Sequence, residues 1–312
     1  MRAEVIKLDK SLPLVQELDG DSIATPKSFR AQFSSQLARL KTSVAVGDIV
    51  NINNDPSLDI PIIENIEKRK TSLVRDDPVL RSKPQVLAAN FNRVVICNVS
   101  FEINSKHLLR ELAISRNSGA ETILLLTKFD LCEKVSDEDE IFKLFDDIFT
   151  SRPSKEDNSK IEFFHDSQKI LPSEIFKKDE TSVLLGKSGA GKSTIINSLA
   201  EKNVTETASV RETDNKGRHT TVSRQIFEFG NSCTSPCGRI IDMPGLRSLG
   251  LIDCDLGISE TFPEISELSC KCKFRNCQHK SEPGCAIRGN VSPLKLETWR
   301  ELKEENDSHN SF

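Results

Sequence analysis

Residues 181–193 read TSVLLGKSGAGKS: an apolar run, Thr181-Ser-Val-Leu-Leu185, passes directly into Gly186-Lys-Ser-Gly-Ala-Gly-Lys192-Ser193, and helix-compatible residues follow from Thr194 to Leu199. G-x-x-x-x-G-K-S between a strand and a helix predicts a phosphate-binding loop. Its glycines let the backbone curl so that N–H groups point inward onto phosphate oxygens, and the following helix adds its positive end. Lys192 is placed to neutralise β- and γ-phosphates, and the Ser193 hydroxyl to complete an octahedral Mg²⁺ shell. Gly186, Lys187, Ser188, Gly189, Ala190, Gly191 and Thr194 complete the expected phosphate-side set.

A phosphate loop does not read the base, so a second element must. Thr127-Lys128-Phe129-Asp130 ends the apolar run Glu121 to Leu126, which puts Asp130 at a strand's carboxyl end, where open α/β sheets bind ligands. A carboxylate there accepts from guanine N1–H and N2–H₂, a donor pair that adenine lacks. GTPases ordinarily carry asparagine where Thr127 stands, and the shorter hydroxyl predicts modest nucleotide affinity. Ser167 is the candidate for the second base-pocket loop.

Beyond the phosphate loop come Gly217-Arg-His-Thr-Thr-Val222, two expected strands (Gln225 to Phe229 and Gly238 to Ile241) and Asp242-Met-Pro-Gly245. Asp242 is expected to hold Mg²⁺ through water, the Gly245 N–H to meet the γ-phosphate, and Thr220 or Thr221 to close over the metal as a switch. The base reader therefore precedes the phosphate elements, the reverse of the usual order. A degenerate, noncatalytic RNA-binding assembly protein and an ATP-using P-loop kinase are the rival readings. Intact Gly191-Lys192-Ser193 with Asp242 opposes the first, and Asp130 the second.

The surroundings fit a multidomain protein. The chain has 312 residues, 37% hydrophobic and 29% charged, with a formal net charge of -4, so polyanions must be met by local patches. Residues 1 to about 88 hold short apolar segments broken by turn signals (Glu4 to Leu8, Leu12 to Leu18, Ser28 to Phe33, Val44 to Ile52), which predict a small β domain. From Arg93 strand runs alternate with helical patterns: Arg93 to Val99, Lys106 to Arg116, Glu121 to Thr127, Asp137 to Phe149, Ile161 to Phe164. That alternation predicts a parallel sheet covered on both faces. The acidic stretch from Glu133 to Asp157 reads as a solvated helix and loop. MRAEVIKLDK lacks the apolar core of a secretory signal and no apolar run would cross a bilayer, so a cytosolic protein with reduced thiols is expected.

With this order of motifs and the Gly-Arg-His-Thr-Thr string, the chain resembles the RsgA (YjeQ) family of circularly permuted GTPases over nearly its whole length. Val46-Gly-Asp48 and Gln85-Val-Leu-Ala-Ala-Asn90 match as well. The resemblance implies an N-terminal OB-fold β-barrel (1–88), a circularly permuted α/β P-loop GTPase domain (89–252) and a C-terminal zinc-binding helical domain (253–312). It further implies a monomeric protein that acts on the small ribosomal subunit and 16S rRNA, with hydrolysis stimulated by that partner. Leu246 follows Gly245 where a glutamine would orient water. His219 is the candidate for that role, with RNA or solvent contact as its other reading.

Near the C-terminus Cys272, Cys277, His279 and Cys285 are spaced C-x₄-C-x-H-x₅-C. Three thiolates and an imidazole suit a closed, structural tetrahedral Zn²⁺ site. Cys270 is a rival first ligand on spacing, and the resemblance favours Cys272. Cys233 and Cys237 read as surface thiols. Lys271, Lys273, Arg275, Lys280 and Arg288 outnumber Glu282 around the cluster and suit either phosphate contact or a solvated rim. Ser292-Pro293 predicts the start of a helix reaching about Glu305, with Leu296, Trp299 and Leu302 packing inward. Because this region follows Asp242 to Gly245 within about 25 residues, a γ-phosphate that orders that loop is expected to bias the zinc domain's position.

Overall fold

The structure is a computed structural model that describes residues 1–9, 12–18, 27–40, 44–76, 84–100, 103–128, 159–161, 175–199, 224–229, 238–243 and 250–310. The chain opens with β1 (Arg2–Leu8), β2 (Leu14–Glu17), β3 (Ser28–Arg30), β4 (Gln32–Phe33), α1 (Ser35–Leu40), β5 (Ile49–Asn53) and β6 (Ile62–Ile66). β1 pairs antiparallel with β2 and β5, β2 with β3, and β5 with β6, while β4 runs parallel to β6. Only Ala31 separates β3 from β4, and its N–H donates to Pro13 O at 3.1 Å. The two segments thus act as one bent strand, closing a five-stranded barrel in the order 1-2-3-5-4. Ala3, Val5, Val15, Val50 and Ile63 fill it and are fully buried.

A hairpin of β7 (Ser72–Asp76) and β8 (Pro84–Ala89) leads out of the barrel. Gly47 touches it closely. Its φ is +89° and a Cβ there would lie 2.0 Å from Ala89 O, so the Val46-Gly47-Asp48 turn admits no side chain. Asn90 donates from Nδ2 to Gly47 O at 2.9 Å, and Asp48 is clasped by Arg69 at 2.7 and 2.8 Å.

The central domain holds β9 (Arg93–Val99), α2 (Ser105–Asn117), β10 (Glu121–Thr127), β11 (Ser159–Ile161), β12 (Thr181–Leu185), α3 (Lys192–Leu199), β13 (Arg224–Phe229) and β14 (Gly238–Asp242). The sheet order is β11-β10-β9-β12-β14-β13, parallel throughout except β13. Counted from the phosphate-loop strand β12, the order is 2-3-1-4-5-6, with strands 4 to 6 supplied earlier in the chain. β12 is buried along its whole length, and β9 and β10 over all but one terminal residue each, as runs covered on both faces must be. Asn104 caps α2, its side chain accepting from His107 N at 2.9 Å. The expected helix from Asp137 to Phe149 lies outside the described residues, as do residues 162–164 of the expected strand.

The C-terminal part consists of α4 (Asp255–Thr261), α5 (Pro263–Ser269), a turn-rich knuckle and α6 (Pro293–Asn310). α6 thus runs five residues past the expected end. Leu108, Leu112, Ile258, Phe262, Ile265 and Leu302 belong to one buried cluster, so this part shares a core with α2 and the sheet. Gly257 lets α4 approach: a Cβ would sit 2.0 Å from Ala113 O. Arg110 clasps Glu305 across the contact, and Asn117 Nδ2 donates to Asp253 O at 3.0 Å. Among the described residues no helix is long and apolar enough to cross a membrane.

Candidate nucleotide site and Cys3His cluster

The phosphate loop leaves β12 at the point where the strand order reverses between β9 and β14, the usual ligand position in such sheets. Gly186 has φ +133°, and a Cβ there would meet Cys97 O at 2.2 Å. The first glycine of the motif is therefore fixed by the neighbouring strand as well as by the turn. Gly189 and Gly191 also have positive φ, +84° and +81°. Lys192 bends back over the loop and donates from Nζ to Gly186 O at 2.5 Å and Lys187 O at 2.6 Å. Its ammonium is held at the loop, where phosphate oxygens can replace those carbonyls.

The end of β10 meets this loop. Thr127 is buried and its Oγ1 proton is shared between Ala190 O at 3.1 Å and Asn98 O at 3.3 Å. A Cβ on Gly191 would lie 3.6 Å from the Thr127 side chain. The hydroxyl thus joins the expected base-reading segment to the phosphate loop. Sequence alone suggested only its deficit relative to asparagine; its acceptors depend on β9 lying between β10 and β12. Lys128 follows with φ +61°, turning the chain at the strand's end. Asp242 ends β14, which runs parallel to β12. Asp130, Ser167, His219, Thr220, Thr221 and Gly245 lie outside the described residues, as do Cys233 and Cys237.

The four expected ligands are brought together: the Cys272, Cys277 and Cys285 Sγ atoms and a His279 ring nitrogen all lie within 4.8 Å of one another. His279 Nδ1 stands 3.6 Å from Cys272 Sγ and 3.5 Å from Cys285 Sγ. Zn–S and Zn–N bonds at tetrahedral angles place sulfur and nitrogen about 3.6 Å apart, so the donor set fits such an ion. Cys270 is exposed, with Sγ toward Ser266 O at 3.8 Å, and is not in the group. His279 is buried with φ +60°, packs its ring 5.7 Å from Trp299, and its carbonyl accepts from Arg300. Trp299 is therefore a packing residue.

Glu282, the one acid of the knuckle, is occupied by its own loop. It accepts from the backbone N–H groups of Gln278, Lys280 and Ser281 at 2.7, 2.8 and 3.0 Å. Backbone donors, led by Gln278, push its carboxyl down to about 2. Lys271, Lys273, Arg275, Lys280 and Arg288 all remain exposed.

A phosphate loop at the switch point of a parallel sheet, with its base-side strands supplied first, defines a circularly permuted P-loop nucleotide-binding protein. A family model described as RsgA GTPase matches residues 66–252. Curated relatives include "Small ribosomal subunit biogenesis GTPase RsgA" of Streptomyces avermitilis, 34% identical over 84% of this chain and 70% of the relative. "Small ribosomal subunit biogenesis GTPase RsgA 1" of Oceanobacillus iheyensis is also 34% identical, over 96% of this chain and 81% of its own. Among solved structures, YjeQ from Thermotoga maritima superposes with a TM-score of 0.66 at 19% identity, covering 97% of both chains. YloQ, titled a circularly permuted GTPase, gives 0.62 at 21% identity over 98% of this chain and 95% of that one. The chain belongs to the RsgA GTPase family, and its phosphate loop is that of a GTP-hydrolysing enzyme.

Proposed function

We propose that this protein hydrolyses GTP during late maturation of the small ribosomal subunit, with turnover raised by that subunit. The observation that carries the reading is the bond from Thr127 Oγ1 to Ala190 O at 3.1 Å. It brings Thr127, the first residue of the T-K-x-D sequence, against the phosphate loop, which supports a reading in which Asp130 reads guanine while Lys192 and the loop N–H groups hold the phosphates. Ser193 and Asp242 would hold Mg²⁺, which would supply neutralisation of phosphate charge. His219 is the residue proposed to orient water, with Thr220, Thr221 and Gly245 as the switch contacts.

The other domains take supporting parts in this reading. Residues 1–88 form an OB-fold, a reading supported by the closed 1-2-3-5-4 strand order and the helix between its third and fourth strands. Cys272, Cys277, His279 and Cys285 hold one structural Zn²⁺, and the exposed basic rim of that knuckle meets 16S rRNA. The relatives' names supply the ribosomal target, and a monomeric cytoplasmic protein is the expected form. The test is GTP turnover of the purified full chain with and without small ribosomal subunits. Low intrinsic turnover that subunits raise at least tenfold (about 1.4 kcal/mol off the barrier) is expected; equal rates would remove the stimulated-GTPase reading.

A further inference from the structure

The knuckle between α5 and α6 holds a phenyl ring out to solvent. Phe274 keeps 42% of its surface exposed, and Lys273 Nζ stands 5.7 Å from the ring centroid. Lys271, Lys273, Arg275 and Asn276 around it are exposed as well. The other exposed phenylalanine among the described residues, Phe33, stands between Gln32 and Ser34 and has no cation next to it in sequence. The backbone on both sides of the Phe274 ring is fixed: Lys273 N donates to Gly284 O at 3.1 Å and Cys277 N to Phe274 O at 3.2 Å. The Lys273 stem lies on Gly284, where an added Cβ would come 3.0 Å from Lys273 Cβ. A ring presented by so braced a turn loses little freedom when something binds it.

The charge around the ring is left for a partner. Lys280 reaches Glu304 at 3.7 Å, and Glu282 turns both oxygens onto N–H groups of its own loop. Among the described residues, Lys271, Lys273 and Arg275 make no ion pair. Three such cations beside an exposed π face suit a polyanion whose units carry flat rings, since phosphates meet the cations while a base covers the ring. A duplex offers the phosphates but keeps its base faces stacked inside. Only an unpaired nucleotide offers both.

We propose that Phe274 is a stacking platform for one unpaired base of RNA, with Lys271, Lys273 and Arg275 meeting the phosphates on either side of that base. The inference deepens the ribosomal reading above, on which its choice of RNA rests, by naming what the knuckle selects: a single-stranded or bulged nucleotide in preference to a duplex. An acidic peptide would satisfy the cations and leave the ring in water, so it lacks half of the match. With a net charge of -4, the protein must meet a polyanion at such local sites, and here the ring adds selectivity that the cations by themselves do not have.

The test compares wild type with Phe274→Ala, Phe274→Trp and Arg275→Gln, all as GDP-saturated full-length protein. Binding is measured, as salt is varied, to a mixed-sequence single-stranded RNA oligonucleotide, to the duplex of the same sequence and to small ribosomal subunits. Phe274→Ala is expected to weaken single-strand and subunit binding about tenfold, leaving duplex affinity, salt slopes and melting temperature as they are. Phe274→Trp is expected to restore the loss. Arg275→Gln should instead lower the slope of log affinity against log salt by about 0.7 on the single strand and about 0.9 on the duplex. Equal effects of Phe274→Ala on single strand and duplex, or none on either, overturn the platform. So does a drop in melting temperature that Phe274→Trp fails to rescue, which would make the ring a packing residue. Lost subunit affinity with single-strand affinity retained assigns the ring to a protein partner and overturns RNA as the occupant. If wild type fails to bind subunits at all, the ribosomal reading falls, while the two oligonucleotide probes still decide the platform.

Discussion

The nucleotide domain carries a neighbour on each side, and the two are attached by different physics. The C-terminal helices share a buried core with α2, with Ile258 and Phe262 packed in the same cluster as Leu108 and Leu112. Gly257 brings the two backbones into contact there. The barrel keeps a core of its own and is attached by backbone pairing of β1 with β13, the Glu4–Arg239 ion pair and the Gly47 turn. A shared core makes two parts fold and move together, whereas a strand seam ties one part's position to a single strand. Nucleotide-driven motion at β13 is thus expected to reach the barrel directly, and the Cys3His side is expected to follow α2.

Metal removal gives the largest effect. Zinc binding to such clusters is worth about 10 to 16 kcal/mol in isolated peptides at neutral pH, so a strong chelator should unfold the 270–291 knuckle. Hydrogen exchange should rise there and along α6 while barrel amides keep their protection. Barrel loss in step with the knuckle would break the contrast. Next is Gly257→Val, which forces side-chain atoms against Ala113 O and should cost about 3 kcal/mol. It should lower the melting of the nucleotide domain and the C-terminal helices as one transition. Gly47→Ala places a Cβ against Ala89 O at φ +89° and should cost about 2 kcal/mol, with the barrel melting in a separate, earlier step. Arg110→Ala, at a half-exposed pair with Glu305, should cost only about 1 kcal/mol.

The smallest effect concerns the thiols. Burial pushes Cys97 and Cys254 each up to about 12, so both stay protonated through neutral and mildly alkaline pH. Thiol alkylation of the folded protein at pH 8 should label Cys270 while sparing these two, and mass mapping checks it.

How much of this was readable in the sequence follows from where the residues sit. Arg93–Val99, Glu121–Thr127 and Thr181–Leu185 were legible because strands buried on both faces read as unbroken apolar runs. The β6 to β8 segments were not, since IIENI and SLVRD mix polar and apolar residues without a sustained period. DLGISET hid α4 behind a glycine; helix propensity opposes Gly257, and close packing on Ala113 outweighs it. Spacing left Cys270 and Cys272 as rivals until the fold turned Cys270 outward. The β1–β13 seam joins residues more than two hundred positions apart, and no local pattern announces it. Thr127 was legible as a position, but its bond to Ala190 required the strand order.

The central claim is that a base reader placed before the phosphate loop serves the same bound nucleotide. Its most direct test is competition of GTP, ATP and XTP for wild type and Asp130→Asn. Wild type should select GTP, and the variant should shift toward XTP by about 10²-fold or more, because a carboxylate–donor pair is exchanged for a mismatched one. An unchanged preference for GTP in Asp130→Asn would contradict the account.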